Sequence, residues 1–308
     1  MKDGLPSKTA ALVAAYRGLA ALLPDRRLAA LAPDPFALRL AGWPYTWIAR
    51  LARLPLLGRL LMSRQSMWGR GAGVMAARTR VLDDVVRDAV RAGTTQVLIL
   101  GAGLDSRALR LRGELGDKAT FFEVDHPASQ AYKREQLRGQ AEGGRPVQYV
   151  AFDFEAPGEA SLGQQLRSHG FDAGQPCVVL LEGLLMYLTP DTVDEVFATT
   201  SALCAKGSRV AFTYLTQTPT ADRLYTRLLI LLHMRPFMLW LRYYAHEPWT
   251  FWGWPNREAL AAFLEGHTLR LLWEDFYITV ARRTADLPES ALPGRSIMGE
   301  RCAVAERL

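Results

Sequence analysis

Cysteine is scarce in this sequence of 308 residues, and the three that occur, Cys177, Cys204 and Cys302, are far apart along the chain. Neither a CxxC pair nor the cysteine framework of a small secreted protein can be built from them. We therefore expect reduced thiols and a cytoplasmic location, and the sequence predicts no metal site.

Blocks of consecutive basic residues are also missing, although the formal net charge is +6. Arginine is spread along the chain, so we expect no nucleic-acid partner. Long apolar runs are interrupted by charge, by Arg17 near the N-terminus and by Arg227, Arg235 and Arg242 within residues 224–244. This pattern predicts no membrane span. A helical lid is the preferred interpretation of 224–244, and a membrane-surface segment is the alternative.

What the sequence does contain is a regular alternation of short apolar strands and helices after a proline-broken helical start. Residues 1–74 are predicted to form a helical cap, and residues 75–308 an α/β domain with a doubly wound sheet. A hydrophobic, aromatic insertion at about residues 216–256 interrupts the alternation and predicts a lid. Strands are expected at residues 96–100, 120–124, 147–152, 177–181, 209–214, 269–276 and 301–305.

Polar residues and glycines follow the predicted strands, where open α/β sheets bind their ligands. Gly101 and Gly103 come directly after the first strand, and Asp125 ends the second, where a carboxylate can accept ribose hydroxyls. Ser106, followed by Arg107, stands where a dinucleotide-binding turn would have its third glycine, which disfavours a pyrophosphate. Further acids after the third and fourth strands suit a cationic ligand such as S-adenosylmethionine.

Three motifs make this pattern specific: VLILGAGLDSR at 97–107, FEVDHP at 122–127 and LEGLLMYL at 181–188. Together with SKTA at 7–10, DPFA at 34–37 and ERCAVA at 300–305, they resemble the bacterial branch of the leucine carboxyl methyltransferase-like family. The resemblance implies a class I methyltransferase fold of the Rossmann-like kind, with S-adenosylmethionine as cofactor and Gly101 and Gly103 in the cofactor turn.

The resemblance also implies a role for individual side chains. Arg78 matches the arginine that pairs with the methionyl carboxylate, and Asp125 matches the acid that binds the ribose. Asp153 matches the residue that reads the adenine amino group, while the neighbouring Phe154 covers the ring. Glu182 matches an acid near the methionyl end of the cofactor.

The methyl acceptor is less well defined by the sequence. Tyr187, Tyr214 and His126 are candidates on the acceptor side, but none is implied as an obligatory base, so we expect catalysis by proximity, with Tyr187 as the residue to test. The aromatic insertion forms either the core of the lid or an apolar acceptor pocket. Candidate acceptor-binding residues are Tyr187, Tyr214, Tyr244, Trp249 and Trp252.

Three further residues near the predicted site have open or structural interpretations. Asp105 and Arg107 either serve the site or fold the loop as an ion pair. Glu123 is expected to point to the opposite face of the second strand from Asp125, which would favour a structural role.

The sequence thus predicts an S-adenosylmethionine-dependent O-methyltransferase that acts on a small, hydrophobic acceptor of secondary metabolism. A protein or peptide carboxyl group is the alternative acceptor. A nicotinamide-dependent reductase and a non-catalytic cofactor-binding protein are alternatives from other classes. The oligomeric state is left open.

Overall fold

A computed structural model of the chain describes residues 7–63, 66–140, 146–156, 158–216, 253–288 and 299–308, together with residues 239, 242, 245, 247 and 249–251. The helices are α1 (Lys8–Ala20), α2 (Arg26–Ala29), α3 (Ala37–Ala41), α4 (Tyr45–Ala52), α5 (Pro55–Leu61), α6 (Met67–Arg91), α7 (Arg107–Arg110), α8 (Arg112–Leu115), α9 (Pro127–Gln136), α10 (Leu162–Ser168), α11 (Pro190–Leu203), α12 (Arg257–Gly266) and α13 (Tyr277–Thr284). The strands are β1 (Gln96–Leu100), β2 (Thr120–Asp125), β3 (Gln148–Ala151), β4 (Val178–Leu181), β5 (Arg209–Leu215), β6 (Leu269–Phe276) and β7 (Glu300–Arg307).

The strands form one sheet in the order β3-β2-β1-β4-β5-β7-β6. Strands β1 to β5 are parallel, and the chain order reverses between β1 and β4, which confirms the predicted doubly wound fold. All five residues of β1 are buried because helices cover both faces of the sheet. Strand β7 lies antiparallel between β5 and β6, a placement that the strand–helix alternation did not predict.

Helix α6 is the long helix that precedes the sheet. The Ser66 hydroxyl caps its N-terminus by accepting from the Gly69 N–H, and Gly93, at φ +103°, ends it in the left-handed conformation. The proposed boundary between cap and domain at 74/75 lies inside this helix, which begins at Met67. The division into a cap and a domain remains a prediction.

Two glycines let the cap helices pack closely. A Cβ added to Gly71 of α6 would lie 2.4 Å from a ring carbon of Tyr16 on α1, and one added to Gly18 would lie 2.5 Å from the Leu38 side chain. Helix α1 is thereby held against both α3 and α6. Its buried Arg17 bonds Asp34 at 3.0 Å and the Leu104 carbonyl at 2.5 Å, so the cap is tied to the loop after β1.

Side chains also cap two helices downstream. The Thr189 hydroxyl accepts from the Thr192 N–H at 3.2 Å to begin α11, and Asn256 accepts from the Ala259 N–H at 2.8 Å to begin α12. Within the described residues, no helix is long and apolar enough to cross a membrane.

The cysteines are buried free thiols in the described structure. Although far apart in sequence, Cys177 and Cys204 lie with their sulfur atoms 3.7 Å apart. Their proximity follows from the packing of the segment after α11 against the start of β4, which no sequence spacing indicates.

Candidate functional site

The glycine turn after β1 is shaped by backbone conformations that side chains disfavour. Gly101 and Gly103 have φ values of +66° and +44°, and a Cβ at Gly101 would lie 2.8 Å from the Leu184 side chain. The N-terminal part of α1 also reaches this turn, because a Cβ on Gly103 would contact that of Ala10 at 3.4 Å. The turn is therefore compact, with the cap beside it.

Asp125 at the end of β2 is bonded to this turn. One carboxylate oxygen accepts the Gly103 N–H at 2.6 Å, and the other accepts the His126 N–H at 2.7 Å. Burial raises the pKa of Asp125 above its usual range, although these two backbone donors oppose the shift. Each oxygen keeps further lone pairs for other donors, so the carboxylate can still accept hydroxyl groups.

Asp153 and Phe154 follow β3 at the neighbouring strand end. Asp153 accepts the Glu155 N–H at 3.0 Å and is partly exposed, and one of its oxygens lies 3.6 Å from the His126 Nε2. The rings of Phe152 and Phe154 meet edge to face, 5.3 Å apart. The His126 Nδ1 accepts from the Ala128 N–H at 3.2 Å, which makes His126 the N-cap of α9.

Arg78 and Glu182 form a buried ion pair on the other side of the turn. The Arg78 Nε donates to Glu182 at 2.9 Å, and its Nη1 donates to Glu300 at 2.9 Å. Burial disfavours the charge of this guanidinium, but Glu300 and Glu182 outweigh the burial and raise its pKa. Among the described residues, no acceptor lies within hydrogen-bonding distance of the Arg78 Nη2, which is beside Gly183.

Arg107 joins Glu182 to two further acids. Its Nε donates to Asp83 at 2.7 Å, its Nη2 donates to Glu182 at 2.8 Å, and its Nη1 bonds Asp105. Arg107 is 1% exposed. Burial disfavours ionised Glu182, yet Arg78 and Arg107 lower its pKa to about 2. Asp105 and Arg107 thus form an ion pair, and the same Arg107 side chain also holds Glu182 in position.

Sequence reasoning missed several members of this ion network. Glu300 begins β7 and Asp83 lies on α6, and both are buried, at 2% and 0% exposure. Asp34 also belongs, since it accepts from the Ser106 hydroxyl at 2.6 Å. The one signal for Asp83 was an acid on the apolar, sheet-facing side of a helix. Glu300 stands in the ERCAVA motif, but its ion-pair partner Arg78 is 222 residues away, so the motif did not indicate the contact.

The aromatic residue Tyr187 lies in the 3-10 turn Leu185–Tyr187 that follows β4. Its hydroxyl lies near Thr9 of α1 and Trp249 of the insertion, and burial raises its pKa. The insertion is anchored here, because the Thr250 N–H donates to the Met186 carbonyl at 2.8 Å. A protonated Tyr187 is suited to donate a hydrogen bond and poorly suited to take up a proton.

Glu247, also in the insertion, accepts from the first turn of α1. Its carboxylate bonds the Lys8 N–H at 2.9 Å, the Thr9 N–H at 3.2 Å and the Ser7 hydroxyl at 3.0 Å. A carboxylate at a helix N-terminus is favourably placed. The cap and the insertion therefore meet beside Tyr187, a contact that the sequence did not predict.

The other candidate acceptor residues separate into two groups. Tyr214 on β5 is 3% exposed, packs against Trp254 at 5.2 Å between ring centroids, and donates to Glu274 at 3.2 Å. These contacts account for the burial of Tyr214, so its position needs no bound acceptor to explain it. Trp249 is buried next to Tyr187, whereas Tyr244 and Trp252 lie outside the described residues.

Glu123 lies on the same face of β2 as Asp125, because residues two apart in a strand point to the same side, so the predicted opposite orientation is wrong. It is 1% exposed and pairs with Lys133 of α9 at 2.5 Å. Burial raises the pKa of Glu123 even though Lys133 opposes the shift. The pair joins α9 to the sheet, in agreement with a structural role.

The residues around the glycine turn fit S-adenosylmethionine in charge and in hydrogen-bonding capacity. The Arg78 Nη2 offers donors for a carboxylate, Glu182 is an anion for an ammonium group, and Asp125 has acceptor capacity for ribose hydroxyls. Glycines without a Cβ allow a ligand to approach the backbone. The fit rests on functional groups that the fold brings together from α6, β2 and β4.

Two solved structures share this fold. A DUF574 family protein from Streptomyces avermitilis superposes with a TM-score of 0.55 at 14% identity, covering 95% of this chain and 100% of the other. A protein from Thermobifida fusca, provisionally titled a methyltransferase, superposes with a TM-score of 0.54 at 17% identity, covering 92% and 98%. At these identities, the likeness concerns the fold alone.

Two mycobacterial relatives are provisionally named S-adenosyl-L-methionine-dependent methyltransferases. The one from Mycolicibacterium smegmatis is 36% identical over 217 residues, which is 67% of this chain and 64% of the relative. The one from Mycobacterium marinum is 37% identical over 214 residues, 67% of this chain and 65% of the relative. The chain thus spans just under two thirds of the length of these relatives. Their names give S-adenosylmethionine as the cofactor, which confirms the cofactor that the sequence predicts.

The family model for leucine carboxyl methyltransferases matches residues 10–201, a range that includes the glycine turn and the ends of β2, β3 and β4. That match spans more than half of the chain and includes Arg78, Asp125 and Glu182, the residues that meet around the turn. The chain therefore belongs to the leucine carboxyl methyltransferase family.

Proposed function

We propose that the chain transfers a methyl group from S-adenosylmethionine to an oxygen atom of a small, hydrophobic acceptor. The observation that carries the proposal is the arrangement of Arg78, Glu182 and Asp125 around the glycine turn. In this proposal Arg78 binds the methionyl carboxylate, Glu182 faces the amino group and Asp125 accepts the ribose hydroxyls. Gly101 and Gly103 admit the cofactor to the backbone, and Asp153 and Phe154 hold the adenine.

When bound, the cofactor supplies an electrophilic methyl group on a sulfonium. Displacement of that methyl needs an acceptor oxygen held in line, and the contribution of the protein is to position the two partners and to exclude water. The junction of cap and insertion at Tyr187, Thr9 and Glu247 supports an acceptor site at this place. Burial keeps the Tyr187 hydroxyl protonated, which supports a positioning role over a role as base.

The proposed acceptor is small and apolar because the insertion is rich in aromatic residues, of which Trp249 is buried next to Tyr187. Secondary metabolism and a cytoplasmic location are part of the same proposal. The test is a turnover assay that follows adenosylhomocysteine release with phenols, alcohols, small carboxylic acids and carboxyl-terminal peptides. Turnover of peptides alone would favour the protein-carboxyl alternative, and binding of NADH in preference to adenosylhomocysteine would overturn the proposal.

The role proposed for Arg78 can be separated from a structural role by shortening the ligand. Arg78→Lys keeps the charge but loses the planar fork, so we expect the Kd for adenosylhomocysteine to rise about tenfold. That tenfold rise corresponds to the loss of one hydrogen bond of about 1.4 kcal/mol. The Kd for methylthioadenosine should stay within about twofold, because this ligand lacks the amino-acid part that Arg78 would bind. Both constants are measured by isothermal titration calorimetry.

Arg80→Lys is the matched control, because Arg80 lies on the same helix and pairs with Asp84 at 2.8 Å, with its side chain partly exposed. We expect it to change neither constant. Equal losses of affinity for the two ligands in Arg78→Lys would show that Arg78 shapes the site generally and does not bind the methionyl carboxylate.

A further inference from the structure

Exposed large apolar side chains are concentrated in one part of the cap. Of the nine found among the described residues, six lie between residues 43 and 67, and Trp43 and Leu56 are 79% and 83% exposed. Single exposed apolar residues are ordinary, but a cluster of this size marks a surface that meets another apolar phase. The six are Trp43, Trp47, Leu54, Leu56, Leu60 and Met67.

Three of them lie on the outer faces of two consecutive helices, Trp47 on α4 and Leu56 and Leu60, at helical spacing, on α5. The other three flank these helices: Trp43 precedes α4, Leu54 is the N-cap residue of α5, and Met67 begins α6. The inner faces are buried: Ala49 and Ala52 of α4 are in the core, and a Cβ on Gly58 of α5 would lie 2.2 Å from the Ala52 carbonyl oxygen. Because α4 and α5 pack this closely, they present their apolar outer faces as neighbours.

The charge around these side chains has a single sign. Residues 35–82 contain eight arginines and no aspartate or glutamate. Four of the arginines, Arg50, Arg53, Arg59 and Arg70, are exposed within residues 43–70, and the Arg50 guanidinium lies 5.9 Å from the Trp47 ring centroid. The sequence as a whole carries 31 acidic residues, so this gap is a local feature of the cap.

We propose that this surface, the basic apolar face formed by the six apolar side chains and the four exposed arginines, binds the surface of an anionic lipid bilayer. Tryptophan and leucine side chains suit the boundary between headgroups and acyl chains, and arginines suit anionic headgroups. A second copy of the chain fits this face poorly, because pairing two such faces would bring eight arginines together without an acid. The cap thereby docks the protein on the bilayer without crossing it.

The charge and apolar contributions can be measured separately by vesicle flotation. We expect the full chain to float with phosphatidylcholine vesicles that contain about 30% phosphatidylserine, and to stay in solution with phosphatidylcholine alone. Raising the salt from about 0.05 to 0.5 M should weaken binding several-fold, because screening shortens the range of the arginine attraction. Arg53→Glu should lower the partition coefficient at least fivefold, the ratio that corresponds to about 1 kcal/mol for one arginine near an anionic surface.

Leu56→Glu together with Leu60→Glu should lower the partition coefficient at least tenfold. Because both side chains are exposed, we expect the fold to remain intact, and circular dichroism checks this. Leu272→Glu is the matched control, since Leu272 is a 38% exposed leucine on β6, away from the cap, and its replacement should leave flotation unchanged. Equal binding to both kinds of vesicle, no binding to either, or equal loss in the control would each overturn the proposal. So would a concentration-dependent dimer, by analytical ultracentrifugation, that the Leu56 and Leu60 replacements dissociate.

Discussion

Replacing Asp125 with alanine should weaken the binding of adenosylhomocysteine by about 100-fold or more. A carboxylate that accepts two hydroxyl groups makes two charge-assisted hydrogen bonds of about 1.5–3 kcal/mol each, and the substitution removes both. It also releases the Gly103 N–H, which Asp125 holds at 2.6 Å, so the glycine turn loses a fixed partner. Calorimetric titration of the purified variants measures the effect directly.

Asp125→Asn separates the two consequences, since an amide oxygen can still accept the Gly103 N–H but carries no charge. We expect its affinity to lie between those of the wild type and Asp125→Ala. Asp88→Ala, at an exposed position on α6, is the control and should bind as the wild type does. If Asp125→Ala folds normally and binds adenosylhomocysteine undiminished, Asp125 does not hold the ribose.

The same interaction should depend on pH. Burial raises the pKa of Asp125, and the ionised form is the better acceptor for hydroxyl groups. Affinity for adenosylhomocysteine is therefore expected to fall as pH is lowered through that raised pKa, and this fall should be absent from Asp125→Asn.

Replacing Arg107 with methionine should lower the free energy of unfolding by about 3–5 kcal/mol at pH 7, because it leaves buried carboxylates without their cation. Arg107 contacts Asp83, Asp105 and Glu182, and both it and Asp83 are almost completely buried. Urea denaturation followed by circular dichroism measures the change. Methionine has a similar length, so most of the loss is electrostatic.

Arg91→Met is the matched control, because Arg91 makes a 2.8 Å ion pair with Glu114 while its side chain is 63% exposed. Solvent screens such a pair, and the expected change is below about 1 kcal/mol. A loss no larger in Arg107→Met than in Arg91→Met would mean that the three acids do not depend on Arg107 for their charge.

Glu182 makes the ion network sensitive to acid. Its pKa is lowered from an ordinary 4.5 to about 2 by Arg78 and Arg107, against the effect of burial. A carboxylate with a depressed pKa stabilises the fold above its ordinary pKa and loses that contribution as pH falls toward the lowered one. The expected loss between about pH 5 and pH 2 is about 3 kcal/mol in the wild type, and it should be smaller in Arg107→Met.

Much of the sheet and of the cofactor side could be predicted because the necessary signals are local. Gly101, Gly103 and Asp125 each stand within a residue or two of a strand end, and parallel strands bring such ends to one edge of the sheet. The acceptor side was harder to predict, because Tyr187, Thr9 and Glu247 meet only through the packing of the cap on the insertion. Tyr214 also lies near the end of a strand, yet its ring packs against Trp254 in the core, so a position at a strand end does not by itself predict a binding residue.

The sequence by itself determined the alternation of strands and helices, the glycine turn and the acid at the end of β2, because each depends on residues close together in the chain. Only the tertiary structure decided the partners of Arg78 and Arg107, which come from α6, the glycine turn, β4 and β7. It also decided the antiparallel place of β7 between β5 and β6. The physical reason is that a buried charge is satisfied by whichever opposite charge the packing brings within about 3 Å, and sequence separation carries no information about that choice.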